Sequence, residues 1–250
     1  MISTIGVVTS GGDSPGMNAA ARAVVRTAIS EGVRIFGVYG GYTGLLDGDI
    51  KELSTRSVSD LIQRGGTFLG TGRSKRFHTE EGRKAAMEKL KEHGIEGLVV
   101  IGGDGSLTGA AHLSRHGMPI VGLPATIEND VWGTDYTIGA DTAANTVLEA
   151  INKLRDTASA HRRIILIEVM GKKSGWLAMM AGVAGGAEYV LVPEVKYDLD
   201  EICTEIMDAY EAGKKYSIIV VAQGAGSAVE MGKFIGETTK IDTRVSVLGY

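Results

Sequence analysis

The sequence predicts an α/β protein with two domains, each built on a mostly parallel, doubly wound sheet. Short apolar runs typical of buried strands alternate along the chain with segments of helical periodicity. Such alternation is typical of Rossmann-like parallel sheets with helices on both faces. Several strand-like runs end in glycine-rich turns. The 36 glycines accompany only 4 prolines, which indicates many tight turns rather than a disordered chain.

The N-terminal half of the sequence contains four strand-like runs. They are Thr4–Thr9, Arg34–Tyr39, Leu98–Ile101 and Ile120–Leu123. After the first run, Pro15 suits the first turn of a helix whose apolar face is made mainly of alanine and valine. A second helix is predicted from Thr79 to His93, because Thr79 can cap its start and Gly94 can end it.

The C-terminal half continues the same alternation. Thr137–Ala158 has apolar residues at helical spacing and is predicted to form a long helix. The further predicted strands are Arg163–Val169, Ala187–Pro193, Ser217–Ala222 and Arg244–Leu248, and further helices lie near Asp200–Ala212 and Val229–Thr238.

Composition excludes several classes of protein. At 250 residues, the chain can bury a core in one large domain or two small ones. The net charge of -4 argues against a non-specific nucleic-acid binder. Cys203 is the one cysteine, so an intrachain disulfide framework is excluded. Neither a signal peptide nor an apolar run of membrane-spanning length is evident, so we expect a cytoplasmic protein without membrane partners.

Residues 97–135 contain two strand-like runs that each end in small and acidic residues. The first ends in the turn Gly102–Ser106, and free N–H groups at the start of the next helix suit phosphate. Asp104 in this turn is a candidate magnesium ligand. The second run ends in residues 124–130, which place Glu128 and Asp130 beside the first turn. An ordinary strand-to-helix turn explains either loop alone, whereas two adjacent loops with carboxylates favour a phosphoryl-transfer site.

Four motifs carry a resemblance to a known family. They are TSGGDSPGMNAA near the start, IGGDGS, PATIENDVWGTDYTIGADTA, and IEVMGKKSG. In this order they are similar to motifs of the phosphofructokinase family, and the resemblance runs from Met1 to Tyr250. It implies a nucleotide-binding domain over residues 1–138 and a sugar-phosphate-binding domain over residues 139–250. It also implies a step of glycolysis, in which ATP phosphorylates fructose 6-phosphate to fructose 1,6-bisphosphate.

The resemblance assigns roles to individual residues. The implied ATP ligands are Gly11, Arg73, Gly103, Asp104, Gly105 and Ser106, and Asp104 and Asp130 hold Mg²⁺. The implied sugar-phosphate ligands are Thr126, Glu128, Arg163, Met170, Gly171, Lys172, Gln223 and Arg244. Glu128 is the implied general base, with Arg73 and Thr126 as the other catalytic residues.

The resemblance also implies an oligomer. In relatives, the arginines that match Arg163 and Arg244 reach into the site from a neighbouring subunit, typically in a homotetramer. From the single sequence alone, solvated charges at strand ends are the preferred interpretation of both arginines. A weaker implied site binds ADP or phosphoenolpyruvate as an effector between subunits. Its residues are Arg22, Arg26, Arg155, Glu188 and Lys214.

Two small residues favour ATP as the phosphoryl donor. Gly105 and Ala125 stand where pyrophosphate-using relatives tend to carry aspartate and lysine, whose side chains would fill space that ATP needs. A pyrophosphate-dependent enzyme is therefore the alternative within the same fold. A dinucleotide dehydrogenase is a distant third, because no strand is followed by G-x-G-x-x-G.

Several departures from the family pattern support an alternative of another class, a catalytically silent regulatory homologue. Glu128 replaces the family aspartate, Gln223 a glutamate and Tyr250 a histidine. The chain ends at VLGY, where the family continues with a Gln-Arg-Gly-Gly segment and several tens of further residues. We expect either a truncated version of the fold or packing between subunits that covers the exposed surface.

Overall fold

The computed structural model describes residues 2–249, which contain ten strands and eight α-helices. The strands are β1 (Thr4–Ser10), β2 (Arg34–Val38), β3 (Ile50–Glu52), β4 (Gly97–Gly102), β5 (Ile120–Thr126), β6 (Ile138–Gly139), β7 (Ile164–Val169), β8 (Tyr189–Leu191), β9 (Ser217–Ala222) and β10 (Thr243–Val247). The helices are α1 (Met17–Ser30), α2 (Gly41–Asp47), α3 (Glu80–Glu92), α4 (Asp104–Arg115), α5 (Ala140–His161), α6 (Trp176–Ala184), α7 (Leu199–Glu211) and α8 (Ala228–Thr239). A short 3-10 helix spans Arg76–His78.

The chain divides into two compact units. The first unit contains the residues up to Thr126 together with Asp130–Gly139. The second contains Ile127–Asn129 and the residues from Ala140 onward. The chain therefore passes briefly into the second unit between Thr126 and Asp130 before it returns to the first.

In the first unit, the described residues form a six-stranded sheet in the order β3-β2-β1-β4-β5-β6. All of its pairings are parallel except that between β2 and β3. Val7 and Val8 point to opposite faces of β1, and both are fully buried, because α1 covers one face and α3 and α4 the other. β5 pairs with β6 only at Ala125 and Thr126, and Val121 is 60% exposed.

In the second unit, the described residues form a fully parallel sheet in the order β10-β7-β9-β8. The first four residues of β7, Ile164 to Ile167, are fully or nearly fully buried on alternate faces. Ile165 and Ile167 pack with α5 and α6, whereas Ile164 and Leu166 pack with α7 and α8. Helices on both faces of two mostly parallel sheets confirm the predicted α/β class.

Most predicted elements are present with small shifts at their ends. Thr79 caps α3 as expected, since its hydroxyl accepts a hydrogen bond from Gly82 N at 3.0 Å. The predicted start of the long helix at Thr137 is wrong. Ile138–Gly139 instead pair with β5 as β6, so α5 begins at Ala140.

The elements α2 and β3 were not predicted. The helix α2 has only seven residues and begins after Gly40, whose φ is +76°. β3 has three residues and pairs antiparallel with β2. Elements this short leave little periodicity in a sequence. Within residues 2–249, no helix combines the length and the apolarity needed to cross a membrane.

Candidate active site

Two glycine-rich turns meet at the carboxyl ends of β1 and β4 in the first unit. The strands pair in register up to Ser10 and Gly102, so the turns that follow are neighbours. Gly11 has a φ of +91°, and a Cβ atom at this position would lie 2.9 Å from Ser106 Oγ. Only glycine fits both the left-handed conformation and this close approach. The structure thus brings Gly11 and Ser106, both predicted ATP ligands, into contact.

The start of α4 presents backbone donors at this place. Gly103 precedes the helix in an extended conformation, and no side chain caps the first turn. Ser106 N and Leu107 N both donate to Gly103 O, which leaves the N–H groups of Asp104 and Gly105 without a carbonyl partner in the helix. The helix dipole makes this end positive. Asp104 and Gly105 are exposed, and a Cβ atom at Gly105 would meet nothing within 4 Å. The backbone of Ser106 is fixed by a hydrogen bond, because its carbonyl oxygen accepts from the Tyr42 hydroxyl at 2.7 Å.

The segment that carries Arg73 is hydrogen-bonded to the first turn. Thr71 Oγ1 donates to Gly11 O at 2.9 Å, and the Thr9 hydroxyl donates to Gly70 O at 2.8 Å. Arg73 follows two residues after Thr71, and its side chain is exposed. A guanidinium group therefore stands at the end of a segment that is attached to the same turn as the predicted ATP ligands.

The loop after β5 contributes residues to both units. A Cβ atom at Gly103 would lie 3.4 Å from Thr126 Cβ, so Thr126 lies beside the second glycine turn. Asp130 also belongs to the first unit and is exposed. Glu128 belongs to the second unit, and its carbonyl oxygen accepts a hydrogen bond from Ser174 Oγ at 3.2 Å.

A small cavity opens at the carboxyl ends of β7, β9 and β10 in the second unit. Its volume is about 130 Å³, and it is lined by Glu168, Val169, Met170, Gln223, Val247 and Gly249. Met170 and Gln223, both predicted sugar ligands, therefore share one cavity. Glu168 Oε2 accepts a hydrogen bond from Ala228 N at 2.9 Å, which places this carboxylate at the start of α8.

Gly171 forms a sharp turn next to this cavity. Its φ is +134°, and a Cβ atom would lie 2.4 Å from Ser174 O, so a larger residue does not fit. Its carbonyl oxygen accepts from Gly224 N at 2.8 Å, which joins the turns that follow β7 and β9. Lys172 is exposed beside it. Ser174 on the same turn contacts Glu128, so the turn connects the predicted base to the predicted sugar ligands.

Arg163 and Arg244 lie at the opposite edge of this sheet. Arg163 precedes β7, and Arg244 is the second residue of β10 and pairs with Ile165. Both arginines bind Asp242, with Arg163 Nε 2.5 Å from Oδ2 and Arg244 Nε 3.1 Å from Oδ1. Partial desolvation raises the pKa of Asp242, but the hydrogen bond and charge of Arg163 and the charge of Arg244 outweigh it and hold this pKa below its usual value. Within one chain, the structure does not bring these arginines to Met170.

The predicted effector residues are distributed over both units. In the first unit, Arg22 Nη1 donates to Val58 O at 2.5 Å, and Arg26 is exposed. In the second unit, Arg155 donates to the carbonyl oxygens of Gly185 and Gly186. The remaining pair, Lys214 and Glu188, forms a salt bridge of 2.8 Å. The three residues of the second unit are thus all engaged in local contacts near residues 185–188.

Sequence reasoning missed several polar residues around these sites. The most connected is Asn18, which is 3% exposed and bonds the backbone of residues 64–68. Asp242 and Ser174 were also missed. Asn18 left one signal, because it is a polar residue on the otherwise apolar face of α1, whereas the partners of Asp242 are apparent only once β7 and β10 are paired.

Comparison with known proteins gives these sites a context. A model of the phosphofructokinase family matches residues 4–250. The chain belongs to the phosphofructokinase family. The ATP-dependent 6-phosphofructokinases of Bacillus pumilus and Bacillus subtilis are each 58% identical to it over 246 residues. These matches cover 98% of this chain and 77% of each relative.

Solved phosphofructokinase structures share the fold. The Saccharomyces cerevisiae enzyme matches with a TM-score of 0.88 and 40% identity, over 99% of this chain and 38% of that one. Pichia pastoris phosphofructokinase in the T-state matches with a TM-score of 0.93 and 37% identity, over 99% of this chain and 29% of that one. A pyrophosphate-dependent phosphofructokinase from Marinobacter aquaeolei matches at 0.84 and 23% identity, over 98% of this chain and 68% of that one, which shows the shared fold alone.

Proposed function

We propose that the chain is an ATP-dependent 6-phosphofructokinase, which converts fructose 6-phosphate and ATP to fructose 1,6-bisphosphate and ADP. The meeting of Gly11, Thr71 and Ser106 beside the uncapped start of α4 carries the proposal. Convergent backbone N–H groups at a helix N-terminus suit a polyphosphate. The name of the bacterial relatives at 58% identity supports the same reaction.

In this proposal residues 1–138 bind the nucleotide and residues 139–250 bind the sugar phosphate. The ATP ligands are Gly11, Arg73, Gly103, Asp104, Gly105 and Ser106, and the sugar-phosphate ligands are Thr126, Glu128, Arg163, Met170, Gly171, Lys172, Gln223 and Arg244. The open space next to Gly105 is consistent with ATP as the donor, because a side chain there would occupy it.

The exposed carboxylates of Asp104 and Asp130 fit a magnesium ion. Residues 2–249 contain no group of three or more His, Cys, Asp or Glu side chains that could hold a metal ion alone. Mg²⁺ commonly uses one or two carboxylates together with substrate phosphates and water, so two oxygen ligands are sufficient. When bound, the ion would offset charge on the phosphate oxygens.

The transfer step assigns one task to each catalytic residue. The 1-hydroxyl oxygen of the sugar attacks the γ-phosphorus of ATP, and the bond from that phosphorus to the bridging oxygen of ADP breaks. Glu128 accepts the hydroxyl proton as general base. Thr126 orients the hydroxyl, and the Arg73 guanidinium offsets charge on the phosphoryl group during transfer.

A site that includes both Met170 and Arg163 requires two copies of the chain. Met170 lies seven residues after Arg163, at the other end of β7. At about 3.3 Å per residue of strand, their backbones are separated by roughly 20 Å, which is further than one sugar phosphate spans. We therefore infer that Arg163 and Arg244 complete the sugar-phosphate site of a neighbouring copy in a homo-oligomer, which we propose is a tetramer.

We also propose an effector site for ADP or phosphoenolpyruvate. Its residues are Arg22, Arg26, Arg155, Glu188 and Lys214. An anionic effector would compete with Glu188 for Lys214, since the two form a salt bridge of 2.8 Å. Calorimetric titration of ADP and of phosphoenolpyruvate into Lys214→Ala and the unchanged chain tests this proposal.

Release of ADP by this chain, given ATP, Mg²⁺ and fructose 6-phosphate, tests the main proposal. Sugar-dependent turnover is expected, and Glu128→Gln should lower kcat by about 10²–10⁴-fold because the proton acceptor is lost. Turnover with pyrophosphate in place of ATP would instead show that the chain is a pyrophosphate-dependent enzyme. Binding of both substrates by a folded sample without turnover would support a silent regulatory homologue and reject the kinase.

A further inference from the structure

We propose that Asn18 is a positioning residue that holds residues 64–73 so that Arg73 lies at the phosphoryl-transfer site. This inference rests on the proposed function for the role of Arg73. The described side-chain hydrogen bonds of Asn18 all go to the backbone of residues 64–68, so it acts through the segment that carries the arginine.

The side-chain amide of Asn18 uses both its donor and its acceptor on this segment. Nδ2 donates to Arg64 O at 2.9 Å and to Gly65 O at 3.1 Å, and Oδ1 accepts from Phe68 N at 2.8 Å. The side chain is 3% exposed, so these three bonds form away from water. Asn18 is the second residue of α1, and one amide therefore fixes the turn at residues 64–68 against this helix.

A second set of bonds continues the attachment toward Arg73. Thr9 Oγ1 lies 2.9 Å from Thr67 Oγ1 and donates to Gly70 O at 2.8 Å. Thr71 Oγ1 then donates to Gly11 O at 2.9 Å. From residue 64 to residue 71, the segment is thus hydrogen-bonded to β1, to the turn after it and to α1, and Arg73 follows two residues later.

Anchoring for stability alone would not require this polar arrangement. Buried leucines already anchor the chain on both sides of the Gly65–Gly66 pair, since Leu61 before the segment is 5% exposed and Leu69 within it is 1% exposed. Between them, Gly65 and Gly66 make no close packing contact at the Cβ position, and glycine backbones are the freest to move. The Asn18 amide restrains this glycine pair, and hence the direction in which the chain continues to Arg73.

Replacement of Asn18 by aspartate tests the amide at constant size. The carboxylate still accepts from Phe68 N, but it loses both donors and directs a charged oxygen at the carbonyls of Arg64 and Gly65. Misplacement of a catalytic group by about 1 Å costs on the order of a hundredfold in rate. We expect Asn18→Asp to lower kcat by about this factor, with the KM for fructose 6-phosphate changed by less than about twofold, because the sugar ligands are untouched.

A double-mutant cycle with Arg73→Ala separates positioning from folding. If Asn18 acts through Arg73, Asn18→Asp should lower kcat by less than about twofold once Arg73 is already alanine. Equal losses of kcat in both backgrounds, or no loss in either, would overturn the proposal. Asn18→Ala provides a second variant without the added charge. Leu90→Ala is the matched control, since it removes a fully buried side chain of α3 on the other face of the sheet and should lower the Tm with kcat unchanged.

The cycle remains decisive if the unchanged chain shows no sugar-dependent turnover. That result would reject the proposed function, and the affinity of the same four chains for MgATP would then be measured by calorimetry. Asn18→Asp should weaken MgATP binding only in chains that retain Arg73. Equal weakening with and without Arg73 would overturn the positioning role independently of catalysis.

Discussion

Two impaired variants should together recover activity when they are mixed, because the proposed sugar-phosphate site is shared between copies of the chain. The first variant is Glu128→Gln, which removes the base at the carboxyl end of the second sheet. The second is Arg163→Ser, which removes a cation at the amino end of β7, roughly 20 Å along the strand from Met170. Each homo-oligomer lacks one essential group at every site.

The expected recovery of activity follows from how many sites are intact in the mixture. A site is intact only when its own chain retains Glu128 and the neighbouring chain retains Arg163. In a random equimolar mixture that combination occurs at about one quarter of the sites. Loss of a charged hydrogen bond to the sugar phosphate costs about 1.5–3 kcal/mol, so Arg163→Ser alone should bind fructose 6-phosphate some 10–100-fold more weakly.

The assay is sugar-dependent ADP release after the two variants are dissociated together and reassembled. The fructose 6-phosphate concentration is held near the KM of the unchanged chain, so that sites without Arg163 contribute little. Recovery of about 25% of the unchanged activity is expected. Activity equal to the mean of the two separate variants would refute the reasoning, since it would mean that each chain completes its own site. Mixing of either variant with itself is the control.

Three further predictions concern single residues. Tyr42→Phe should lower the free energy of unfolding by about 0.5–1.5 kcal/mol in a denaturant titration, because the 2.7 Å bond to Ser106 O is lost; an unchanged midpoint would contradict it. Gly105→Asp should raise the KM for ATP about tenfold by charge repulsion and leave the Tm unchanged, since its Cβ has open space. The pKa of Asp242 is held below its usual value in the folded chain, so its ion pairs stabilise above about pH 4 and are lost as the pH falls further. The Tm of Asp242→Asn should therefore fall less between neutral and acid pH than that of the unchanged chain, and parallel curves would contradict this.

Sequence reasoning succeeded where a local pattern carries the information. The runs Ser217–Ala222 and Thr4–Thr9 are rich in apolar residues because both faces of their strands are covered, and the structure contains strands there. It failed at β6, a strand of two residues that exists only because Ile138 and Gly139 pair with Ala125 and Thr126 of β5. The helix α2 was missed for a similar reason, since seven residues beginning with glycine give no helical signal.

The residues of the candidate site were likewise predicted only where a local sequence pattern marks them. Its glycine turns were predicted because glycines recur at these positions of the sequence motifs. The close contact of Gly11 with Ser106 explains why a small residue is needed there. The supporting bonds were not found, because they join residues far apart in the chain. Asn18 bonds residues 46 to 50 positions away, and Asp242 bonds Arg163 across 79 positions. Polar partners at such separations are brought together only by the packed fold, so the sequence contains no characteristic spacing that would predict them.

Glu128 illustrates how the structure changes the meaning of a sequence departure. The glutamate is one methylene longer than the aspartate of the family pattern, and a shift of the backbone could have offset the difference. The main chain at this position is restrained, however, because the neighbouring Ile127 is 9% exposed and Glu128 O accepts a hydrogen bond from Ser174 Oγ at 3.2 Å. We therefore expect the extra length to be accommodated by rotation of the Glu128 side chain rather than by the backbone. It follows that the departure alters the reach of the proposed base and leaves its chemistry, a carboxylate that accepts a proton, unchanged.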